Sequence, residues 1–214
     1  MVTRLSRVPG PPRSARSERT RAALWRAAQV RFLAQGVEAT SAEQIAADAG
    51  VSLRTFYRHF SSKQDLLFGD YDASLQWFRA ALAQRPADES IVDAVRAAIH
   101  SFPFDPGNVY DIAALRDREL DRADIVRHIR QVQAEFADEV ERHLVVTTGV
   151  GDGDGDARFL TAVAARCIAA ATFTAVDTWM RGDHSDLEEL DRLTDLALRR
   201  LDAGVVSVLE PGVG

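Results

Sequence analysis

The sequence predicts an all-α protein with a small N-terminal domain of three helices and a larger helical body. Apolar residues recur at steps of three and four along most of the chain, which is the spacing of a buried helix face. Glycine and proline interrupt this pattern at helix-length intervals. No segment shows the alternation of a half-buried strand or a hairpin turn. We therefore expect about nine helices and no sheet.

Residues 1–17 predict a disordered basic arm. This segment contains four arginines and a Pro-Gly-Pro-Pro break, and it has almost no core-forming residues. The arginines could neutralise phosphates or enter a minor groove beside a DNA site. The alternative is a solvated tail without a role.

A first helix is predicted from about Ser17 or Glu18 to Gln35, and Gly36 ends it. Its apolar stripe consists of Leu24, Ala27, Ala28 and Phe32. Two arginines near its amino end could contact phosphates or form an ordinary solvated face, namely Arg19 and Arg21.

A short second helix is predicted to start at Ala42. Ser41 with Gln44 can form a capping box, and Thr40 with Glu43 offers the same pairing one residue earlier. The small residues that follow allow another helix to approach closely. Either cap therefore begins a helix at this point of the chain.

A third helix follows a sharp turn at Gly50, because glycine readily adopts the left-handed conformation that such a turn needs. Ser52 caps this helix, and Phe56 and Phe60, four residues apart, lie on its inward face. Its outward face carries Leu53, Arg54, Tyr57 and Arg58. A helix with this outward face suits a DNA major groove, which is about 12 Å wide.

The next helix is expected to begin at Ser61 or Ser62, with Lys63 in its first turn. A free helix N-terminus attracts a phosphate, and an ammonium group adds to that attraction. Together with the two preceding helices, this segment predicts a helix-turn-helix that binds DNA.

The stretch from Gly36 to Leu67 resembles the N-terminal DNA-binding domain of the tetracycline-repressor (TetR) family of bacterial regulators. The Y-x-H-F-x-x-K motif of that family is present as Tyr57, His59, Phe60 and Lys63. The resemblance covers roughly residues 20–67. It implies a homodimer that binds a palindromic double-stranded DNA operator, and a C-terminal domain that binds a small effector and releases the DNA.

Arg54 is the best candidate for contacting a base, because a guanidinium can make paired contacts with a guanine edge. The family often has a small residue at this position, so Arg54 suggests a particular operator preference; alternatively it grips only a phosphate. Tyr57 and His59 correspond to phosphate contacts of the family, although His59 could instead pack inside the domain. The full set of expected DNA-binding residues is Thr40, Ser41, Ser52, Leu53, Arg54, Thr55, Tyr57, Arg58, His59 and Lys63.

Charge is divided unevenly along the chain. The total of 26 basic and 32 acidic residues gives a net charge of −6, yet residues 1–69 hold 11 basic and 5 acidic residues, or +6. Subtraction leaves 15 basic and 27 acidic residues, or −12, for residues 70–214. This asymmetry predicts a polyanion-binding lobe attached to an acidic body.

The body is expected to contain helices over residues 62–85, 89–101, 109–119, 123–145, 157–181 and 185–203. The first of these begins at the DNA and ends in the body, so it would couple effector binding to operator affinity. The last two carry apolar residues on more than one face, which a second copy of the chain would cover. The expected domains are 1–17, 18–67, 68–203 and a tail, 204–214.

Nine mainly aromatic residues could line an apolar effector cavity, and such a lining favours a small hydrophobic ligand. They are Trp77, Phe102, Phe104, Tyr110, Leu115, His128, Phe136, Phe173 and Trp179. The same residues could instead be plain core. In that case the body would bind a protein partner.

An enzyme is the rival class, and the sequence argues against it. The histidines show no metal-ligand spacing, and there is no nucleophile elbow, phosphate loop or dinucleotide fingerprint, so no catalytic residue or cofactor is expected. The single cysteine, Cys167, and the lack of a leader or of an apolar run of about 18 residues predict a cytoplasmic protein without a membrane partner.

The alternating aspartates between Gly149 and Asp156 invite a calcium interpretation. A calcium loop needs glycine at its sixth position and glutamate at its twelfth, but Ala157 and Val163 occupy those positions. We therefore expect no metal and a flexible acidic linker, in which Asp156 caps the next helix.

Overall fold

A computed structural model of the chain describes residues 15–103, 106–151, 153–182 and 187–204. Over these ranges it contains nine α-helices and one 3-10 helix, and it contains no strand. The all-α prediction is therefore confirmed. The predicted arm and tail lie outside the described residues, apart from positions 15–17 and 204.

The described residues up to Leu66 form the first of two compact units. Its helices are α1 (Ala15–Gln35), α2 (Ala42–Asp48) and α3 (Leu53–His59). Their apolar stripes meet in one core, built from Leu24, Ala28, Phe32, Ile45, Ala46 and Phe56. The predicted stripes of the first three helices therefore do bury apolar surface, as their spacing requires.

Local capping sets the helix ends in this unit. The Gln44 amide N–H donates to Ser41 Oγ at 3.2 Å, and the Ser41 amide donates back to Gln44 Oε1 at 2.9 Å. This is the predicted capping box; the alternative at Thr40 is not used. Gly36 and Gly50 have φ angles of 83° and 66°, so both turns use the left-handed region.

The described residues from Leu67 onward form the second unit. Its helices are α4 (Gly69–Leu82), α5 (Ile91–His100), α6 (Pro106–Glu119), α7 (Arg122–Thr148), α8 (Gly155–Arg181) and α9 (Leu187–Asp202). α8 packs against both α7 and α9, and α4 packs against α5 and α7. Their shared core includes Phe78, Val95, Phe136, Val140, Ile168 and Leu198.

The predicted helix over residues 62–85 is wrong at its amino end. A 3-10 helix, Gln64–Phe68, comes first, and α4 begins only at Gly69. The Asp65 carboxylate accepts hydrogen bonds from the amides of Ser61 and Ser62 at 2.7 and 3.1 Å, and the Leu66 amide donates to the Lys63 carbonyl at 3.2 Å. Such i to i+3 bonding tightens the chain into a 3-10 turn.

The predicted cap at Asp156 is also wrong. Asp154 precedes α8 and accepts from the Ala157 amide at 3.0 Å, so Asp156 lies inside the first turn. Gly149, with φ of 68°, ends α7. Within the described ranges, which leave out Asp152, no group of three His, Cys, Asp or Glu side chains is placed to hold a metal ion.

Candidate nucleic-acid interface

Aromatic anchors fix the position of α3 in the first unit. Phe56 is fully buried and Phe60 is 3% exposed, and their ring centroids are 6.0 Å apart. Ser52 caps the helix by accepting from the Thr55 amide at 3.2 Å, and the two hydroxyls are 3.0 Å apart. The inward face and the cap of α3 are therefore as predicted.

The outward face of α3 presents two cations and an aromatic ring. Arg54 and Arg58 are exposed, and the Tyr57 side chain is 55% exposed with its ring edge-on to Phe56. Leu53 and Thr55 are partly exposed beside them. Neither guanidinium has an acidic partner within 4.0 Å in the described part of the chain. Their charge is therefore available to an anionic partner.

α1 braces the other two helices of the unit. Arg21 donates through Nη1 to the His59 carbonyl at 3.1 Å, and its guanidinium lies 4.4 Å from the Phe60 ring centroid. Arg31 makes two hydrogen bonds to Asp48, at 2.5 and 2.9 Å, and this pairing lowers the pKa of the Asp48 carboxyl. Arg21, one of the two arginines considered for phosphate contact, therefore binds the carboxyl end of α3.

A groove of about 420 Å³ lies between the start of α2 and the segment that follows α3. It is lined by four of the predicted DNA-binding residues and by their neighbours, including Thr40, Ser41, Tyr57, Ser61, Ser62 and Lys63. Two carboxylates, Glu38 and Glu43, also line it. The structure thus brings these predicted residues together at one surface.

Two of the grouped residues are already engaged inside the protein. Thr40 is 1% exposed; its hydroxyl donates to the Gly36 carbonyl at 2.8 Å and accepts from Gln35 Nε2 at 3.2 Å. Lys63 Nζ donates to backbone carbonyls of the turn between α1 and α2. His59 is only half-buried at the end of α3. The exposed candidates are therefore concentrated on α3.

The residues that match a known protein family include those of this surface. Residues 24–69 match the family model described as bacterial regulatory proteins, tetR family. The HTH-type transcriptional regulator TcmR of Streptomyces glaucescens is 32% identical over 206 residues, covering 88% of this chain and 85% of TcmR. The chain belongs to the TetR family. It is thus a DNA-binding transcriptional regulator rather than an enzyme.

Solved TetR-family structures share the whole fold. Thermus thermophilus FadR, a repressor solved with lauroyl-CoA, gives a TM-score of 0.53 at 23% identity, covering 91% of this chain and 99% of FadR. SmeT, the repressor of the Stenotrophomonas maltophilia efflux pump SmeDEF, gives 0.52 at 24% identity, with 87% and 91% covered. These values show that the similarity in fold extends beyond the N-terminal domain into the second unit.

The predicted effector-binding residues of this TetR-family chain fall into separate groups. Trp77 is 42% exposed; its Nε1 donates to Ser101 Oγ at 2.9 Å, and its ring meets Phe102 edge-on. Phe136 is buried; it stacks on Phe78 at 4.0 Å and meets Phe173 edge-on at 5.7 Å. The first group is at the surface and the second is part of the core.

Of the other predicted lining residues, Leu115 and Trp179 are buried at 7% and 1% exposure. His128 stacks on Phe68 with 3.9 Å between ring centroids, and burial lowers the pKa of its imidazole. Phe104 and the side chain of Tyr110 lie outside the described residues. The set therefore includes core residues as well as candidates for a ligand site.

Sequence reasoning missed the buried arginine of the body, Arg116. It is 3% exposed; Nε donates to the Leu67 carbonyl at 2.9 Å, and Nη2 donates to both Asp70 carboxylate oxygens at 2.7 and 2.8 Å. The spacing contained a sign of this, because position 116 is four residues after the buried Ile112. A charged residue on a buried helix face indicates a fixed partner.

Proposed function

We propose that this regulator binds a palindromic operator as a homodimer, acts as a repressor, and is released by a small hydrophobic effector bound in its helical body. The observation that carries the DNA-binding part is the outward face of α3. Arg54, Tyr57 and Arg58 are exposed there, while Phe56 and Phe60 anchor the opposite face in the core. A protein with this role works where the bacterial DNA is, so we infer a cytoplasmic location.

Each exposed residue of α3 has a proposed role at the operator. Arg54 contacts a guanine edge in the major groove, Leu53 meets a thymine methyl group, and Arg58 and Tyr57 contact phosphates. Ser41 and Ser52 are caps as well as candidate phosphate contacts, because each lies at the start of a helix near the surface. Thr55 and His59 are supporting contacts. The excess of basic residues over the first 69 positions favours this assignment.

The outer face of α8 supports the homodimer. Phe159, Leu160 and Val163 are 66%, 63% and 41% exposed, and Leu196 on α9 is 46% exposed. A cluster of exposed large apolar residues on one helix face costs free energy unless another surface covers it. A second copy supplies that surface, and its two-fold symmetry matches a palindromic site.

α8 also corrects one sequence-based expectation. By length and composition it could cross a membrane, with a mean hydropathy of 1.7 over its most apolar 18 residues, of which 28% are buried. The expectation that no such apolar run exists is therefore wrong. Because α8 packs on α7 and α9 and the chain is a DNA-binding regulator, we assign its exposed face to the dimer partner.

The proposed effector class follows from the aromatic content of the body. Trp77 meets Phe102 edge-on at a partly exposed surface to which a hydrophobic molecule can bind, whereas Phe136 and Phe173 pack in the core. Other proteins of this fold bind such molecules: FadR was solved with lauroyl-CoA and SmeT with triclosan. The fold is thus compatible with an apolar effector.

The proposal is tested by measuring binding of the purified protein to the DNA that flanks its own coding region. A salt series with a scrambled duplex as control separates selective from non-specific binding. Saturable, selective binding by a dimer, reversed by a small hydrophobic compound such as triclosan, is the expected result. No binding to any duplex at low salt would contradict the DNA-binding assignment.

The dimer surface has its own test. Leu160→Glu places a charge on the exposed face of α8, and we expect sedimentation to show a monomer. Val30→Glu is the matched control, because Val30 is 69% exposed on α1 in the other unit. A dimeric Leu160→Glu variant would contradict the proposed interface.

A further inference from the structure

We propose that two copies of this chain pair through α8, with the two helices antiparallel and crossing at Cys167, so that the two thiols face each other across the two-fold axis. The inference rests on the proposed homodimer and deepens it, because it defines which residues of the interface meet. Three properties of the exposed face of α8 support it: the spacing, the size and the charge of its side chains.

The exposed face of α8 contains a seam with the spacing of a helix–helix contact. The seam residues are Asp156, Leu160, Val163, Cys167, Ala170, Thr174, Asp177 and Arg181. Steps of four and three residues alternate along the whole seam, which is the heptad spacing that packs one helix against another. All eight residues are exposed in the single chain. The seam is therefore available to a second helix.

The side chains beside the centre of the seam leave it open. Arg166, next to Cys167 in the chain, donates to Glu141 of α7 at 2.8 Å, so its guanidinium lies on the α7 side of the helix. Ile168 is buried in the core. The centre of the seam is thus formed by two small side chains, Cys167 and Ala170, which allow another helix to approach closely.

A two-fold axis allows two arrangements of the seam on its copy. In a parallel pair each residue lies near its own copy, whereas in an antiparallel pair the residues before the centre meet those after it. The large exposed side chains all precede the centre: Phe159, Leu160 and Val163 are 66%, 63% and 41% exposed. The next seam residues after the centre, Ala170 and Thr174, are small. An antiparallel pair therefore places large side chains against small ones, as close packing requires.

The charged ends of the seam favour the same arrangement. Asp156 and Arg158 are exposed at the start of α8, and Asp177 and Arg181, which pair with each other at 2.8 Å, are exposed near its end. A parallel pair would set each charge against its own copy, and like charges in an interface are unfavourable. An antiparallel pair brings Arg158 close to the partner's Asp177, and Asp156 close to the partner's Arg181.

The position of the axis follows from the same pairing. Residues that meet across a two-fold axis lie at equal distances from it along the two helices. Leu160 and Thr174 are each seven residues from Cys167, and Val163 and Ala170 are four and three residues from it. Pairing the large residues with the small ones therefore centres the axis at Cys167. The two thiols then lie where the helices are closest.

The first test is oxidation of the purified protein with diamide, because Cys167 is the single cysteine of the chain. Each of the two thiols gives up one hydrogen to diamide, which is reduced to the hydrazine, and a disulfide joins the protomers. We expect a covalent dimer on a non-reducing gel, which dithiothreitol reverses and which Cys167→Ser does not form.

A control variant measures cross-linking by chance collision. It carries Cys167→Ser with Val30→Cys, because Val30 is 69% exposed in the other unit. Thiols held within one dimer meet at a millimolar effective concentration. At micromolar protein, wild type should therefore cross-link on the order of a hundredfold faster than this control.

The register is tested with single cysteines at two other seam positions, each combined with Cys167→Ser. In an antiparallel pair centred at position 167, position 163 and its copy lie about 12 Å apart along the helices, at about 1.5 Å per residue. A disulfide needs Cα atoms within about 7 Å. We expect Val163→Cys to cross-link no faster than the control by itself, and rapidly after subunit exchange with Ala170→Cys. A parallel pair would instead cross-link Val163→Cys with itself.

The outcomes separate this pairing from the homodimer on which it rests. Sedimentation of the reduced wild-type protein reports dimerisation without any cross-link, and a monomer would contradict both proposals. A dimer in which Cys167 cross-links no faster than the Val30→Cys control would overturn the antiparallel pairing alone. Self-cross-linking of Val163→Cys, or no cross-link between Val163→Cys and Ala170→Cys, would overturn it in the same way.

Discussion

Replacing Arg116 by methionine should destabilise the body of the protein strongly. The guanidinium is 3% exposed, and it joins α6 to the start of α4 through the Leu67 carbonyl and both oxygens of Asp70. It also lies 4.8 Å from the ring centroid of Tyr71. Methionine keeps much of the volume of the side chain and removes every donor.

The expected loss of stability follows from the Asp70 carboxylate, which remains without its partner. Removing one partner of a buried ion pair costs about 3–5 kcal/mol, because the other charge stays buried without compensation. The Asp70 side chain is 16% exposed, so water can partly solvate it. We therefore expect a loss at the lower end of this range, about 3 kcal/mol. For a chain of this size, this corresponds to a fall in Tm of about 6–12 °C.

Thermal unfolding followed by circular dichroism measures this effect, at one fixed protein concentration because dimerisation shifts Tm. Arg118→Met is the matched control: its side chain is 64% exposed beside Glu119, so its loss should cost less than about 0.5 kcal/mol. Adding Asp70→Asn to Arg116→Met should recover part of the loss, since the unpaired charge is removed. A Tm for Arg116→Met within about 2 °C of the control would refute the buried-pair argument.

Three other predictions concern the DNA-binding surface and pH. Arg54→Ala should relax discrimination at one base pair by about 1–3 kcal/mol in a set of operator variants; an equal loss on every sequence would exclude base contact. Ser52→Ala should cost about 0.5–2 kcal/mol in urea unfolding, because the Thr55 amide loses its cap; an unchanged midpoint would contradict this. Burial lowers the pKa of His128, so the folded protein binds fewer protons than the unfolded chain below pH about 6.5, and its stability should fall as the pH drops through that range. His128→Gln should flatten this dependence, leaving the smaller part due to His143, whose pKa burial also lowers; a dependence equal to wild type would refute the role of His128.

Short-range chemistry made much of the first unit predictable. Ser41 and Ser52 each cap a helix through an amide three residues later, and Gly36 and Gly50 take the left-handed conformations expected of them. Phe56 is buried, as its helical spacing indicates. These features depend on neighbours within one or two turns of the chain. The motif residues near them then sufficed to predict the TetR family.

The body was predictable in outline but not in detail. Helix spacing indicated six helices after α3, and the described residues there contain six α-helices, with ends shifted by a few residues. The exception is the start of α4, where Asp65 and a 3-10 helix replace the first turns. The apolar pattern is the same whether the chain forms a 3-10 turn or an α-helical turn at this point. The helical periodicity therefore cannot distinguish the two.

The sequence by itself thus determined the helical class, the caps of α2 and α3, the inward face of α3 and the family. The tertiary structure decided the roles of polar side chains whose partners are distant in the chain. Lys63 meets the Val37 carbonyl 26 residues away, and Arg116 meets the Leu67 carbonyl 49 residues away. Whether a cation faces solvent, DNA or a carbonyl depends on which segments pack beside it. That packing is a property of the folded chain and not of its local spacing.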